Sequence, residues 1–428
     1  LNPLTHFREA SWEEALNKAA DGLNKIKHAK PNNSALAGFG CAKGSNEEAY
    51  LFQKLVRTGF KNNNVDHCTR MCHASSVAAL MEAIGTGAVT ATVSEIKNAD
   101  VAIVIGARPT QNHPVAATFL KNEIKKRGLK LILMDPREQD LSRIAEKHLK
   151  FNPGTDVALL NGILNVIIEE GLVDRQYIEK HTEGYLELKK HIKDFTPEEM
   201  TNICGIHPEE IKETARIFAN AKSAMIFWGM GISQHIHGTD NSRCLISLAL
   251  TTGNVGRPGT GLHPLRGQNN VQGASDAGLI PITYPDYKSV ENSDIRKYYE
   301  DAWGRSLEPV KGLTVVEIMN AINEGDISGM YIMGENPAMS DPDQRHARQA
   351  LSKLDNLVVQ DIFFTETAWF ADIIFPASAQ AEKLGTYTNS NRQIQLGRPV
   401  LDMPGDARQD WELIVELARR CGLDWQYN

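Results

Sequence analysis

The residues most suited to chemistry lie in one short stretch, HCTRMCHASS, at positions 67–76. Cys72 is followed directly by His73, and the next residues, ASSVAALMEAIG, have the spacing of a helix that begins at Ala74 or Ser75. A thiol at a helix N-terminus has its thiolate stabilised by the helix dipole, and the thiolate is the form that attacks electrophiles and binds metals. The neighbouring imidazole can accept or release a proton near neutral pH. Residue types alone leave open the alternative of a buried cysteine beside a solvated histidine.

A second polar stretch, HPLRGQNNVQGASD at positions 263–276, combines a planar cation with clustered amides. Arg266 presents a guanidinium fork that suits a carboxylate. The amide side chains that follow it are too dense for a core, and the two glycines interrupt regular structure. A solvated loop is the alternative, but such loops favour lysine, glutamate and serine over this composition. The stretch therefore predicts a functional loop.

The composition of the whole chain limits its class. It has 428 residues, which suffice for two or three domains, and a net charge of −7, which argues against a nucleic-acid partner. No apolar run is long enough to span a bilayer. The six cysteines are scattered without a C-x-x-C pair, so neither a disulfide framework nor a zinc or iron–sulfur site held by this chain alone is expected. Scattered thiols and the lack of a visible signal peptide predict a cytoplasmic protein.

Short apolar runs alternate with helical patterns along most of the chain. The runs ADVAIVIG, LKLILMD, SAMIFWG, GMYIMG and LVVQD each end in Gly or Asp, which is typical of buried strands. Near the start, Ser11 and Glu14 have the spacing of a capping box ahead of an amphipathic helix. Strands that alternate with helices form parallel sheets covered on both faces, so the fold class predicted is α/β.

Two segments of this pattern resemble each other. In the first, a strand ends at Gly106 and the strand after the next helix ends at Asp135; in the second, the equivalent residues are Gly334 and Asp361. The spacings are 29 and 27 residues. Glycine at a strand's carboxyl end lets backbone N–H groups approach a phosphate, and the later acid can accept hydrogen bonds from a ribose or a guanine. The repetition predicts two related nucleotide sites, although any doubly wound sheet places Gly and Asp at such turns.

Direct binding of ATP or NAD lacks support in the sequence. GFGCAKGSNE at positions 38–47 is similar to a phosphate loop, but no Lys-Ser or Lys-Thr follows at Walker spacing. No G-x-G-x-x-G follows a strand, so a plain NAD dehydrogenase is not expected.

Several segments together resemble the molybdopterin oxidoreductase family, and within it the formate dehydrogenases. The matching segments, in chain order, are NNNVDHCTRMCHASSVAAL, GARPTQNHP, DPR, GTDVALLNGI, FWGMGISQ, TTGNVGRPGTG, RGQNNVQGASD, YIMGENPAMSDPD and VVQDIFFTETAWFADIIFPA. Each is modest alone, but jointly they are specific. The resemblance implies two doubly wound, Rossmann-like parallel-sheet domains and a molybdenum or tungsten centre held by two molybdopterin guanine dinucleotides.

The resemblance also implies roles for the chemical residues. Cys72 stands where formate dehydrogenases have the protein ligand of the metal, either cysteine or selenocysteine. His73 would lie beside the metal as the proton acceptor, and Arg266 would hold the formate carboxylate. A soft thiolate suits a metal already bound by dithiolene sulfurs, and a bidentate arginine can recognise so small a substrate. The implied reaction is oxidation of formate to CO2, or its reverse, by transfer of a hydride equivalent to the metal centre, with electrons leaving through one pterin.

Two cofactor-binding sets follow from the same resemblance. The first comprises Gly106, Arg108, Asn112, Asp135, Arg137, Gly154, Asp156, Met230 and Gln234. The second comprises Gln268, Gly334, Glu335, Asn336, Asp361 and Thr365, with Lys43 and Cys68 as flanking contacts.

The implied domain organisation is discontinuous. Residues 1–67 and 269–428 would form one domain, and residues 68–268 would be inserted into it and carry the metal ligand. Family members also have an N-terminal [4Fe-4S] domain and a C-terminal cap, both of which this sequence is expected to lack; residues 381–409 would join the cluster domain. An electron-transfer subunit or domain with iron–sulfur clusters is the expected partner.

Two other functions remain open. A different cysteine-ligated enzyme, such as a nitrate reductase, shares the cysteine but lacks the histidine and the RGQNN context. A redox-inert scaffold subunit, like the molybdopterin-fold subunit of respiratory complex I, would be expected to have lost the ligand cysteine.

Overall fold

The computed structural model describes residues 5–29 and 35–427, along which helices alternate with short strands. The helices are α1 Trp12–Ala29, α2 Asn46–Leu55, α3 Ala74–Ile84, α4 Pro109–Asn112, α5 Pro114–Arg127, α6 Asp156–Glu169, α7 Arg175–His181, α8 Tyr185–Ile192, α9 Pro197–Cys204, α10 Pro208–Ala219, α11 Met230–Ser233, α12 Gly238–Thr251, α13 Val271–Asp276, α14 Ser293–Trp303, α15 Val315–Glu324, α16 Pro337–Ser340, α17 Gln344–Leu351 and α18 Asp410–Arg420. None of them, within the residues described, combines the length and apolar character needed to cross a membrane.

The strands are short and mostly parallel. They are β1 Leu36–Gly40, β2 Val65–His67, β3 Val101–Ile105, β4 Lys130–Met134, β5 Lys147–Leu149, β6 Ala224–Trp228, β7 Gly261–Pro264, β8 Thr283–Tyr284, β9 Lys288–Ser289, β10 Gly329–Met333, β11 Asn356–Asp361, β12 Ile373–Pro376, β13 Gly385–Thr388 and β14 Ile394–Gly397. Every apolar run singled out in the sequence coincides with one of these strands to within a few residues.

The chain divides into two compact units. The first comprises residues 1–71, 268–389 and 393–428, and the second comprises residues 72–267 with 390–392. The first has a sheet in the order β12-β11-β10-β1-β2 and the second a sheet in the order β5-β4-β3-β6-β7, and every pair in both is parallel. The predicted α/β fold with parallel sheets is confirmed. Cys68–Met71 group with the first unit, so the division falls between Met71 and Cys72.

Alternating side chains of each sheet lie in separate cores. In β3, Val101, Ile103 and Ile105 belong to one buried cluster, while Ala102 and Val104 belong to another. Successive side chains of a strand point to opposite faces, so both faces of this sheet are covered, as a parallel sheet requires. Burying such a branched side chain contributes about 1.5–3 kcal/mol, which explains why these runs are continuously apolar.

Local signals set the starts of the first helices. The Glu14 amide donates to Ser11 Oγ at 3.2 Å, as the predicted cap of α1 requires. Ser45 and Glu48 form a complete capping box at the start of α2. These bonds satisfy N–H groups that have no partner inside a helix.

Each sheet has one point where the strand order reverses. In the second unit it lies between β3 and β6, and in the first unit it lies between β10 and β1. The connections leave such a pair of strands in opposite directions, which opens a crevice at their carboxyl ends. Gly106 directly follows β3 and Gly334 directly follows β10, so both glycines lie at these crevices.

Candidate functional site

Cys72 lies in the short link between a 3-10 turn, Cys68–Met71, and helix α3. His73 is the residue before the helix, with φ −104° and ψ 16°, and α3 begins at Ala74 as the sequence predicted. The Cys72 side chain is partly exposed, and its Sγ lies 3.4 Å from Met230 Sδ. A partly exposed thiol at a helix start is accessible to a ligand.

The His73 imidazole is fully enclosed. Its Nδ1 lies 3.2 Å from Ser233 Oγ, and its Nε2 lies 2.9 Å from the Leu265 carbonyl oxygen. Burial and, secondarily, the charge of Arg266 lower the pKa of His73 to about 3, so the ring is neutral. Proton acceptance by His73 stays a prediction, and it requires the bond with Ser233 to open because both ring nitrogens are engaged.

Arg266 follows β7 and is 5% exposed. Its Nη2 donates to the Gly87 carbonyl, and its own carbonyl accepts a bond from His113 Nε2 at 2.6 Å. Burial lowers the pKa of His263 to about 4, and the charge of Arg266 contributes to that shift as it does for His73. The Arg266 guanidinium beside these neutral imidazoles creates a positive potential, which suits a small anion.

A groove of about 560 Å³ lies at the carboxyl ends of β3, β4 and β6 in the second unit. Eight of the nine residues in the first cofactor set line it, namely Gly106, Arg108, Asn112, Asp135, Arg137, Gly154, Asp156 and Met230. Gln234, the ninth, is not among the lining residues. Such a groove at the reversal of strand order is where open α/β sheets bind ligands.

Two of the residues that line this groove, Gly106 and Gly231, are glycines in backbone contact. Gly106 has φ +56°, and a Cβ there would lie 2.8 Å from the backbone of Gly231 and Ile232. A Cβ on Gly231 would lie 2.7 Å from Gly106 Cα. Only residues without side chains allow this approach, which brings the segments after β3 and β6 into backbone contact.

Polar side chains surround the two glycines. Arg108 pairs with Asp140 at 3.6 Å, while its buried Nε has no partner among the residues that the structure describes. Asp135 accepts from the Arg137 amide at 2.9 Å and from Gln139 at 3.2 Å. Burial raises the pKa of the Asp156 carboxyl at the start of α6. The enclosed Arg108 Nε is a donor that a bound anion would satisfy.

The repeated motif predicted from the sequence is confirmed in the geometry. The Gly106 amide donates to Met134 O at 3.2 Å, and the Gly334 amide donates to Gln360 O at 2.8 Å. Gly334 also has a positive φ, +65°. The Phe363 amide donates to Asp361 Oδ1 at 3.1 Å, as the Arg137 amide does to Asp135. Both motifs continue into a four-residue helix that starts with proline, α4 and α16.

The second cofactor set lies in the first unit, around Glu335. The Cys68 thiol donates to Gln268 Oε1 at 2.6 Å and also interacts with the Glu335 carboxyl. Burial, reinforced by Asp361, raises the pKa of Glu335 to about 8, against the opposing effects of Cys68 and Lys43. Glu335 Oε1 is enclosed and has no partner within residues 5–29 and 35–427. Glu335 is therefore a neutral acid that can both donate and accept.

Two members of this set bond elsewhere. Asn336 donates to Glu366 at 2.8 Å and accepts from Thr367, and Thr365 Oγ1 accepts from the Ala368 amide at 3.3 Å. These bonds hold the turn after β11, so any contact of Asn336 or Thr365 with a cofactor stays a prediction.

Three residues of the site escaped the sequence reasoning. His113 lines the groove and bonds to Arg266, and its place in the GARPTQNHP segment was the signal that could have found it. Ser233 and Ser76 are buried serines. Ser233 bonds directly to His73, and Ser76 bonds to Ser233. No sequence pattern marks them, because their roles depend on contacts between distant segments.

Known proteins resemble this chain over nearly its whole length. A family model described as Molybdopterin oxidoreductase matches residues 5–420. The F420-dependent formate dehydrogenase subunit alpha of Methanocaldococcus jannaschii is 42% identical over 422 residues, which are 99% of this chain and 61% of that protein. Formate dehydrogenase H of Escherichia coli is 40% identical over 420 residues, which are 98% of this chain and 58% of that protein. The chain thus spans about three fifths of the length of these relatives.

A solved structure shares the fold. Acetylene hydratase from Pelobacter acetylenicus has a TM-score of 0.81 and 22% sequence identity, covering 97% of this chain and 59% of that one. The family model, the relatives and the two parallel sheets agree, and the chain belongs to the molybdopterin oxidoreductase family.

Proposed function

We propose that the chain is the central part of a formate dehydrogenase catalytic subunit, which oxidises formate to CO2 or runs the reverse reaction. The relatives that match it across nearly its whole length include formate dehydrogenases. Its centre would be molybdenum or tungsten held by two molybdopterin guanine dinucleotides, with Cys72 as the protein ligand. The other two fifths of the relatives' length would supply a [4Fe-4S] cluster and a cap, in a cytoplasmic protein with an electron-transfer partner.

One hydrogen bond carries this proposal. His73 Nε2 lies 2.9 Å from the Leu265 carbonyl oxygen, so the segment that carries Cys72 is fastened to the segment that carries Arg266. This bond supports a site in the second unit at which the Cys72 thiol would bind the metal and the Arg266 guanidinium would bind the anion. Oxidation of a small carboxylate at a thiolate-bound metal needs this combination.

The residues present fit the cofactor. The Gly106–Gly231 contact lies at a groove of about 560 Å³, and the enclosed Arg108 Nε has no acceptor among the residues that the structure describes. In the first unit, the enclosed Glu335 Oε1 also lacks a hydrogen-bond partner among the residues that the structure describes. Nucleotide phosphates and a guanine edge supply such groups. When bound, the centre supplies a two-electron acceptor for the C–H bond of formate.

The chain's own residues bind and orient the substrate. Arg266 would hold the carboxylate through two parallel N–H···O bonds, and the neutral imidazoles of His73 and His263 would not compete for its negative charge. Burial of Arg266 excludes water and strengthens the bond to the anion. The proton released from formate would pass to His73 if the bond with Ser233 opens.

Substitution of the ligand tests the proposal. In the full-length protein, Cys72→Ser should abolish formate oxidation measured with a viologen dye, because a hard alkoxide replaces a soft thiolate. Cys244→Ser is the matched control, since this partly buried thiol bonds to Asn161 on α6, outside the groove.

Elemental analysis for molybdenum and tungsten, and an assay with nitrate in place of formate, complete the experiment. Formate oxidation near the wild-type rate in Cys72→Ser would contradict the ligand assignment. Reduction of nitrate without oxidation of formate would favour a nitrate reductase, and absence of both metals would favour the redox-inert scaffold.

A further inference from the structure

A chain of buried side chains reaches His73 from the end of β6. Trp228 Nε1 lies 2.8 Å from Ser76 Oγ, and Ser76 Oγ lies 2.6 Å from Ser233 Oγ. Ser233 Oγ lies 3.2 Å from His73 Nδ1, and His73 Nε2 lies 2.9 Å from the Leu265 carbonyl oxygen. The four side chains are at most 5% exposed. Their polar atoms therefore depend on one another for hydrogen bonds.

The chemistry at the two ends determines the donor in each bond. A carbonyl oxygen only accepts, so His73 Nε2 carries a proton and donates it to Leu265. In a neutral imidazole Nδ1 is then an acceptor, and the Ser233 hydroxyl is the group that donates to it. The indole N–H at the other end only donates, so Ser76 accepts from Trp228. Ser233 has used its single proton, and the 2.6 Å contact is therefore donated by Ser76.

A third serine lies beside this series of side chains without joining it. The Ser242 hydroxyl donates to the Gly238 carbonyl at 3.0 Å and lies 3.2 Å from Ser76 Oγ. Ser76 has one proton, which goes to Ser233 at the shorter distance. Ser242 is thus a buried serine in the same cluster whose hydroxyl does not act on His73.

We propose that Ser76 and Trp228 are positioning residues that act through Ser233 to hold His73 in the tautomer protonated at Nε2. Ser76 lies on α3, Trp228 on β6 and Ser233 on α11. This series of hydrogen bonds therefore connects three elements to the His73 ring. The inference rests on the proposed function, since His73 directly follows the proposed metal ligand.

Nitrogen-15 NMR of the histidine-labelled chain tests this assignment. The ring signals of His73 are identified by their absence in His73→Asn. The wild-type ring should show a proton on Nε2 and a bare, hydrogen-bonded Nδ1. Ser233→Ala should move the Nδ1 shift to its value without a hydrogen bond. Ser76→Ala should move it part of the way, because hydrogen bonds in a chain strengthen one another, whereas Ser242→Ala should leave it unchanged.

A wild-type ring protonated on Nδ1, or a Ser76→Ala chain with the wild-type Nδ1 shift, would overturn the assignment. A purely structural role for Ser76 would change thermal stability and leave this shift where it is. The wild-type spectrum remains decisive if a variant does not fold. The measurement needs neither metal nor formate, so failure of the proposed function is recognised separately, by the metal content and the formate assay.

Discussion

At the scale of single residues, Arg266 determines the electrostatics of the candidate site. Burial is the main cause of the lowered pKa of His73 and His263, and the charge of the buried Arg266 guanidinium adds to it, so the two imidazoles stay neutral beside it. One fixed positive charge remains in a region of low dielectric, where a charge-assisted bond to a carboxylate is strong. The planar fork also discriminates by shape, because a carboxylate offers two parallel acceptors.

Arg266→Lys tests this role in the full-length enzyme. Lysine keeps the charge but loses the fork, so the KM for formate should rise by roughly 10- to 100-fold, the equivalent of about one charge-assisted hydrogen bond. Steady-state kinetics measure the change. Arg243→Lys is the control, because Arg243 pairs with Glu82 at the protein surface and its replacement should leave KM unaltered. An unchanged KM in Arg266→Lys would remove this residue from substrate binding.

At the scale of elements, both sheets share the repeated motif, in which a strand, a glycine and a helix follow one another. In each, a glycine with positive φ ends the strand next to the reversal of strand order, and an aspartate at the end of the adjacent strand accepts the amide two residues later. In the second unit the turn also needs space, since Gly106 and Gly231 are in backbone contact. Backbone conformation and close approach therefore select glycine independently at position 106.

Two alanine substitutions separate these effects. Gly128 ends α5 with φ +71°, and a Cβ added there would have no atom within 4 Å, so Gly128→Ala should cost only the conformational strain, about 1–2 kcal/mol. Gly106→Ala adds a clash with backbone atoms 2.8 Å away and should cost about 1–3 kcal/mol more. Urea unfolding of the two variants measures the difference. Equal losses would show that the backbone contact at Gly106 relaxes freely.

At the scale of the whole molecule, buried acids make stability depend on pH. Burial raises the pKa of Glu335 to about 8, above the 4.5 of an exposed glutamate. The folded chain then binds more protons than the unfolded chain between these values, so the free energy of unfolding falls as pH rises through this window. Glu48, buried with Asp410 beside Lys383, has its pKa raised to about 7 and acts in the same direction.

Glu335→Gln should flatten this dependence. An amide does not titrate, so the variant should lose less stability than the wild-type chain between about pH 5.5 and 8.5, by on the order of 1–3 kcal/mol. Thermal or urea unfolding across that range measures it. Glu366→Gln is the control, because the hydrogen bond from Asn336 lowers the pKa of Glu366 and confines its effect to more acidic pH. Parallel pH profiles for Glu335→Gln and wild type would contradict the raised pKa.

Local patterns in the sequence were enough to predict β3, β4, β6, β10 and β11 and the positions of the repeated motif. The strands follow from continuous apolar runs and the start of α3 from helical spacing, and both depend on neighbouring residues only. Gly106, Asp135, Gly334 and Asp361 were recognisable because the motif occurs twice with similar spacing. The family also followed from short segments in a fixed order, since the match depends on residue types along the sequence and not on long-range contacts.

The protonation and bonding of the site emerged only from the folded chain. His73 has its nitrogens bonded to groups 160 and 192 residues away, and Trp228 reaches Ser76 across 152 residues. The neutral Glu335 carboxyl depends on enclosure by segments that include Cys68. Burial and hydrogen-bond direction are properties of such long-range contacts, which local patterns of residue type do not contain, and for that reason no motif could have indicated where the protons lie.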